Sequence, residues 1–543
     1  MENSVRFFSL LEPYGDNSYF QLNNETANDL SLDFIVQHLS DDKEEQNRLK
    51  AILLKVPSDR RILEYRQAVY NDLKTFPEIC SKLLEIFNEM KFYSMDSRSS
   101  INDKSTIWEF ISFLRSLQNY VKSVSSIQEL LKDKEFKSEG MKNLAGHIKQ
   151  IYEDSGFSEL SKDLEGIGEE IDGIHSMTLG VNFDHNFYPD EVGIISFNSY
   201  YFTEKGFLEK FLSFHKKNTE NDSKLTPFTM LTHPKKGLAA ESPLMNNLTG
   251  IVERMLPDVT RKMSKLLKKY TDISGTALAE CGNEIMFYVR FIELEKRLSE
   301  INMPCSMPVI SEKETLLEDF YNIKLAMCAI EKKIENDVVC NNISFADAKN
   351  ILILTGPNRG GKTILTQGIG LAFLLFQHGM FVPCRKNKIN LCDGIYTHFP
   401  ADENKTVSLG RLGEESERFS QICKAATSSS LLLLNESFST TSHTESLYIA
   451  EDAVKYMTCL GARVCFNTHM HELAENAENL RCEQSVCDAV SVVMGKGKSA
   501  FKISYEKPDG KSYAHNIACK YGITFEQLIE NNTASHKENA SET

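Results

Sequence analysis

The sequence predicts an α plus α/β chain, in which a helical N-terminal region with a small β insert precedes an α/β domain. Three observations carry that expectation. Between residues 59 and 174 apolar side chains recur at steps of three and four, the period of helices with one buried face. From about residue 335 short apolar runs at 351–354, 431–434 and 464–467 alternate with helical stretches, as in a parallel sheet covered on both faces. The first of those runs leads into Gly356-Pro357-Asn358-Arg359-Gly360-Gly361-Lys362-Thr363, a G-x-x-x-x-G-K-T spacing with a strand before it and a helix after it.

Taken in order, residues up to about 50 mix short apolar and acidic segments, with 29–35 able to start a helix. From Asp59, the residues Ile62, Tyr65, Val69 and Leu73 mark a helix, and Leu83, Leu84, Phe87 and Met90 continue the pattern after Pro77. One further helix reads through Ile107, Phe110, Ile111, Leu114, Leu117 and Val121, and another through Ile127, Leu130 and Leu131. Phe157, Leu160, Leu164, Ile167, Ile171 and Ile174 form a narrow seam suited to packing along a neighbouring helix, while Gly166 and Gly168 weaken it as a free coiled coil. Residues 177–183 and 193–197 read as strands joined by a turn at 184–190.

Residues 215–247 are polar, contain Pro227, Pro234 and Pro243, and read as a connection. Their Lys216-Lys217 and Lys235-Lys236 pairs are candidate phosphate contacts, or simply solvated lysines. A long helix is expected from about 258 to 300, with a break at Ser274-Gly275 and an end at Met303-Pro304. Leu278, Cys281, Ile285, Val289 and Ile292 form its apolar stripe. Arg261, Lys262, Lys265, Lys268 and Lys269 make the most basic patch of the chain, read as a solvated lever surface in preference to a DNA-facing one. The tail from Thr533 has no apolar periodicity and reads as disordered.

A length of 543 residues with 41% hydrophobic content suffices for several cores. The net charge of -15 and pI near 5.5 exclude an all-over basic coat but leave room for a local basic face. No window approaches eighteen uninterrupted apolar residues, and the first eight residues lack the pattern of a secretory signal. No membrane association and a cytoplasmic location are therefore expected. The 13 cysteines are scattered without a C-x-x-C and are expected as free thiols.

The chemistry gathers around the glycine loop. Gly356, Gly360 and Gly361 let backbone N–H groups surround a phosphate, Lys362 brings a charge to the β/γ oxygens, and Thr363 offers a hydroxyl to Mg²⁺. The apolar run 431–434 delivers Asn435 and Glu436 at its end. Asn435 takes the place on the metal side usually held by Asp and would act through a metal-bound water, and Glu436 is the candidate general base. His469, after the run 464–467, is placed to sense the γ-phosphate and hydrogen-bond the attacking water. His469, His471 and Glu472 make a poor zinc set, because no third ligand follows at helical spacing.

These motifs together resemble the MutS family of DNA mismatch-repair ATPases. The loop 356–363 is similar to that family's T-G-P-N-x-G-G-K-S/T, Gly379-Met380-Phe381-Val382-Pro383-Cys384 to its G-x-[YF]-V-P-A, and Asp393-Gly394-Ile395-Tyr396-Thr397 to its D-x-I-[FY]-T. Leu433-Leu434-Asn435-Glu436 resembles the Walker B segment, Ser439-Thr440-Thr441-Ser442 the loop after it, and Thr468-His469-Met470-His471-Glu472-Leu473 the T-H-Y-H-E-L element. Lys511-Ser512-Tyr513-Ala514-His515-Asn516-Ile517-Ala518 is similar to S-Y-G-x-x-V-A of the dimerising tail, and the stretch containing Arg66-Gln67-Ala68-Val69 to the R-Q-x-x-V helix of the core domain. No G-D-F-Y-E stretch is present, and Phe87-Asn88-Glu89 falls in an amphipathic helix.

The resemblance implies a short MutS-like protein without the mismatch-reading and connector modules. It implies a helical core and lever region at 1–175, a reduced clamp-like β insert and loop at 176–257, a returning lever helix and linker at 258–334, a P-loop ATPase domain of ABC type with a short dimerising tail at 335–531, and a disordered tail at 532–543. ATP and Mg²⁺ are the implied cofactors. The implied nucleotide-binding set is Gly356, Pro357, Asn358, Arg359, Gly360, Gly361, Lys362, Thr363 and Asn341, with Ser408, Gly410 and Arg411 reaching the nucleotide held by a second subunit. Leu412 and Gly413 stand where the family carries hydroxyls after Gly-Arg, and with Asn435 they imply slow hydrolysis. The implied function is a homodimeric ATPase clamp on structured or recombining duplex DNA, with repair or recombination proteins as possible partners. The alternative is a nucleotide-gated scaffold that hydrolyses little and engages proteins.

Overall fold

The computed structural model describes residues 8–96, 107–172, 176–186, 189–200, 261, 264–265, 268–270, 273, 275–333, 338–357, 360–400, 411–439, 441–495, 500–508 and 524–528. The connection at 215–247 with its lysine pairs, Lys262, the 511–518 element and the tail from Thr533 lie outside them. The chain divides into two compact units. One comprises Met1–Phe8, Pro77–Phe136 and Met141–Ile285, and the other Ser9–Phe76, Lys137–Gly140 and Met286–Thr543.

The second of these opens with β1 (Tyr19–Gln21), α1 (Asn24–Asp29), α2 (Leu32–Leu39), α3 (Lys43–Leu54), β2 (Lys55–Pro57), which pairs antiparallel with β1, and α4 (Arg60–Thr75). Residues 29–35 do not start a single helix. Asp29 ends α1, and Ser31, at φ 56°, interrupts the chain before α2. Asn23, Asp42 and Asp59 cap α1, α3 and α4, each side-chain oxygen accepting backbone N–H bonds from the first turn. On α4 the carboxylate of Asp72 accepts the backbone N–H groups of Lys137 and Ser138 and the Ser138 hydroxyl. Those bonds fasten 137–140 to α4.

The other unit is helical. Its α5 (Pro77–Asp96), α6 (Ile107–Leu131), α7 (Glu139–Glu153), α8 (Ser155–Asp172) and the start of α9 (Thr276–Glu300) bury Leu83, Phe87, Leu117, Val124, Ile148 and Leu160. The stretch 107–131, expected as two helices, is one. Val124 and Ile127 are fully buried and carry the stripe of Leu117 and Tyr120 onward without a break. Helix α7 is an addition to the expected elements. Helix α9 runs so close to α5 that a β-carbon on Gly282 would lie 2.6 Å from Phe87 Cβ. The expected insert forms as an antiparallel hairpin of β3 (Ser176–Phe183) and β4 (Pro189–Asn198). In the basic patch Lys269 is paired with Glu159 and Asp163, so part of its charge is neutralised within the unit.

From Met286 the chain belongs to the unit that holds the large sheet. Helix α9 ends at Glu300, ahead of Met303-Pro304, because Asn302 adopts φ 57° and the Met303 N–H returns to Leu298 O. Then come β5 (Thr315–Phe320), α10 (Ile323–Ile330), β6 (Asn341–Phe345), β7 (Lys349–Thr355), α11 (Lys362–Gln377), β8 (Lys386–Lys388) and β9 (Ile395–His398). After these follow α12 (Arg411–Ala425), β10 (Leu431–Asn435), α13 (His443–Leu460), β11 (Arg463–Asn467), α14 (His471–Glu475), β12 (Asp488–Met494) and β13 (Ile503–Ser504).

Strands β6, β5 and β8 form a small antiparallel sheet. The large sheet has the order β13-β12-β7-β11-β10-β9, parallel except for the edge strand β13. The apolar runs at 351–354, 431–434 and 464–467 are thus adjacent central strands, buried on both faces as continuous apolar runs require. Helix α11 is buried almost all round. At its end Gly379, φ 74°, lets the chain pass so close to α4 that a β-carbon there would lie 2.8 Å from Leu63 O. Arg66 of α4, itself buried, donates Nε to Leu11 O (2.8 Å) and faces His378 Nδ1 through Nη1 (2.7 Å). Among the described residues no helix is long and apolar enough to cross a membrane.

Candidate nucleotide site

Parallel strands in register bring their C-terminal ends to one edge. Asn435 of β10 pairs with Asn467 of β11, and Asn467 pairs with Leu354 of β7, so the turns after three adjacent strands open side by side. In open parallel sheets that edge is where ligands bind. The turn after β7 begins at Gly356, φ 145°, where a β-carbon would lie 2.6 Å from Met494 Cβ on β12. Gly361, φ 89°, caps α11 with left-handed backbone. A residue with a side chain is strained at both positions.

Lys362, the first residue of α11, is 5% exposed and donates Nζ back to Gly356 O (3.1 Å) and Pro357 O (3.2 Å). Burial lowers its pKa, with the Glu436 carboxylate opposing that shift. Thr363 donates its hydroxyl to Asn435 Oδ1 at 3.0 Å. The fully buried Asn467 donates Nδ2 to the same oxygen, while its own Oδ1 has no hydrogen-bond partner among the described residues. Glu436, at φ 52°, sits on the turn after β10, and its Oε1 lies 2.7 Å from His469 Nε2. The His469 hydrogen bond, followed by the charges of His469 and Lys362, holds the Glu436 carboxyl below its usual range.

The arrangement brings together Gly356, Pro357, Gly360, Gly361, Lys362, Thr363, Asn435, Glu436 and His469 from the expected set. Asn358, Arg359, Ser408 and Gly410 lie outside the described residues, as does the side chain of Arg411, which opens α12. Asn341 stands apart from the loop's polar cluster. It is buried on β6, donates Nδ2 to Phe501 O and accepts the Ile503 N–H, both at 2.9 Å. In that position it lines an apolar cavity of about 180 Å³ beside Gly361, walled also by Phe320, Ile364, Met494 and Phe501.

Three contributors escape a reading of the letters. Asn467 is visible only through its register with Asn435, and Met494 and Phe501 only through the sheet order that sets β12 beside β7 and the chain leading into β13 beside β12. The loop 439–442, expected to follow a Walker B segment, has a local task as well: Ser442 caps α13 by accepting the Glu445 N–H.

Two family profiles match the chain. That of MutS domain V covers residues 352–538, and that of the MutS2 N-terminal domain covers residues 58–301. The DNA mismatch repair protein MutS of Clostridium botulinum (strain Hall) is 26% identical over 260 residues, 46% of this chain and 28% of that protein. The DNA mismatch repair protein MutS of Chlorobium chlorochromatii (strain CaD3) is 37% identical over 148 residues, 27% of this chain and 17% of that protein. The matched part of the chain thus spans less than a third of the length of these curated relatives.

Proposed function

The chain belongs to the MutS family, and from that premise we propose that it is an ATP-dependent DNA-binding protein whose 335–531 region is a P-loop ATPase of ABC type. The carrying observation is the convergence of Lys362, Thr363, Asn435, Glu436 and His469 on the turns after three adjacent parallel strands. Lys362 and the loop N–H groups would bind the outer phosphates, exchanging the bonds Lys362 now makes to its own loop for phosphate oxygens. The apolar cavity beside Gly361 would take the base.

Thr363 and Asn435 present the hard oxygen donors that Mg²⁺ accepts, Asn435 through a water, so these residues fit the ion. When bound, Mg²⁺ supplies neutralisation of phosphate charge. Glu436, ionised and oriented by His469, would accept the proton of the attacking water. In this reading the site is completed by Ser408, Gly410 and Arg411 of a second copy, and ATP-driven pairing moves the helical region on a structured or recombining duplex.

Steady-state ATP turnover with and without DNA tests the proposal. Lys362→Ala should abolish ATP binding, and Glu436→Ala should cut turnover at least ~100-fold while leaving binding intact. Turnover that survives loss of Glu436 would exclude this mechanism. A gel-shift series of duplex, single mismatch, fork and four-way junction tests the DNA substrate. The expected result is preference for branched forms, no preference for a mismatch, and affinity that falls steeply with salt. The neutral Asn435 supports a second reading, a nucleotide-gated scaffold that engages proteins. Tight ATP binding with no turnover, unaffected by DNA, would favour it.

A further inference from the structure

The turn that carries Glu436 is held by a residue outside every motif used above. Glu436 (φ 52°) and Phe438 (φ 67°) both occupy left-handed backbone, which residues other than glycine rarely adopt and which persists only where the surroundings enforce it. Between them, Ser437 Oγ lies 2.7 Å from Nδ1 of His398, the last residue of β9, paired in register with Leu434. His398 Nε2 lies 3.1 Å from Glu415 O on α12. A carbonyl can only accept, so the ring proton is on Nε2 and Nδ1 accepts from the Ser437 hydroxyl, whose other acceptor is the backbone oxygen of His398 itself at 3.1 Å. Burial and the nearby Arg418 keep this ring neutral, with its pKa lowered to about 4. The turn is gripped on its other side too. The Phe438 ring lies 5.2 Å from Phe419 of α12 and 5.7 Å from His398, and Ser446 donates its hydroxyl to Phe438 O.

We infer that His398 is a positioning residue for hydrolysis: through Ser437 it holds the Glu436 turn in its left-handed form and fastens it to α12, presenting the carboxylate to His469 and the attacking water. The inference rests on the nucleotide-site reading proposed above. Because α12 opens at Arg411, one imidazole joins the base of this protomer's site to the segment proposed to complete its neighbour's. A displacement of α12 on pairing would therefore be felt at Glu436 through two hydrogen bonds. The aromatic contacts give the same linkage a packed, buried surrounding.

Three substitutions in the full chain separate this role from simple packing. His398→Asn retains an acceptor near the Nδ1 position, His398→Gln retains a donor near Nε2 but loses the ring's bond to Ser437, and His398→Leu loses both, while the contact of Ser437 with the backbone oxygen of residue 398 stays in all three. Two readouts are taken: kcat and KM for ATP, and the His469 ring resonance in ¹³C-histidine-labelled protein, assigned with His469→Gln. For Leu and Gln, the expected kcat falls roughly tenfold with KM within about twofold, and the His469 resonance moves toward its position in Glu436→Gln. His398→Asn should stay near wild type in both. Equal losses in all three with KM rising in parallel would overturn the inference, as would an unmoved His469 resonance in His398→Leu. Ser437→Ala, which removes the hydroxyl's contacts with both Nδ1 and the backbone oxygen of His398 and is expected to lose at least as much as His398→Gln, takes the place of a Leu variant that fails to fold. Should the wild-type chain bind ATP without turning it over, hydrolysis is excluded and the resonance alone decides the positioning role.

Discussion

Asn435 receives two hydrogen bonds on one oxygen, from Thr363 and from the buried Asn467. An aspartate would keep both and add a full charge beside Thr363, where a charge-assisted bond is roughly twice as strong as a neutral one. Asn435→Asp is therefore expected to lower the Mg²⁺ concentration for half-maximal ATP turnover by about tenfold, or about 1.4 kcal/mol. An unchanged Mg²⁺ dependence would exclude the metal-side role of Asn435. Glu436 carries a second expectation. Its carboxyl is held below the usual range chiefly by His469, so it stays ionised above that lowered value and loses its charge only when pH falls through it. The kcat profile should then show no acidic limb from Glu436 above about pH 4.5. In His469→Gln the limb should move upward, and a profile unmoved by that change would remove His469 from the role of orienting the base. Glu436 and His469 were legible because each follows an apolar run with its chemical type intact, and Lys362 because it closes the glycine loop that follows another such run. His398 and Asn467 were not, since a lone His and a lone Asn acquire meaning only from the strand register that sets them beside Ser437 and Asn435.

Several elements explain motif letters by packing alone. Gly379 follows α11 at φ 74°, where an added β-carbon would meet Leu63 O at 2.8 Å and Arg66 Cβ at 2.9 Å. Gly379→Ala should destabilise this unit by about 2–4 kcal/mol, from left-handed strain together with forced separation of α4 and α11. Its thermal transition would report this, and a change under about 0.5 kcal/mol would show that the two helices can part freely. The glycine and the Arg66-Gln67 pair therefore read as a structural joint, distant from chemistry in kind although they belong to the same recognisable pattern. Element identity was largely legible where one period dominates, as in α4, α5, α8 and the three central strands. Element limits were less so. The end of α9 at Glu300 falls where the sequence puts it and is fixed by Asn302 in a left-handed cap, whereas the join of 107–131 into one helix comes from the buried Val124 and Ile127. Helix α7 escaped notice although its start is bound by Asp72, because that bond crosses more than sixty positions of sequence.

At the scale of the whole chain, the unit with the large sheet gathers Ser9–Phe76 with Met286–Thr543, an association of distant segments that no local composition shift announces. What ties them includes the buried His378, and a second buried histidine, His398, ties elements within the later segment. His378 accepts from Arg66 at Nδ1 and faces Leu53 O at Nε2, and His398 joins β9 to the turn after β10 and to α12. Burial lowers the pKa of both, for His378 with added repulsion from Arg66 and for His398 to about 4. In the unfolded chain each would titrate near the ordinary value of about 6.5. Below that value the unfolded state binds protons that the folded state refuses, so stability is full above about pH 6.5 and is lost progressively as pH falls toward the folded values. The transition belonging to this unit can be identified as the one that added ATP raises, since a ligand that binds the folded form stabilises it. Its midpoint is expected to fall by several degrees between about pH 7.5 and about pH 5.5. In His378→Asn the midpoint at the higher pH should be lower and its further drop smaller, because one of the two groups that refuse protons has been removed. A midpoint in the wild-type chain that ignores pH over this range would mean that both rings accept protons in the folded state, and with them a loose Arg66 joint and a loose Glu436 turn.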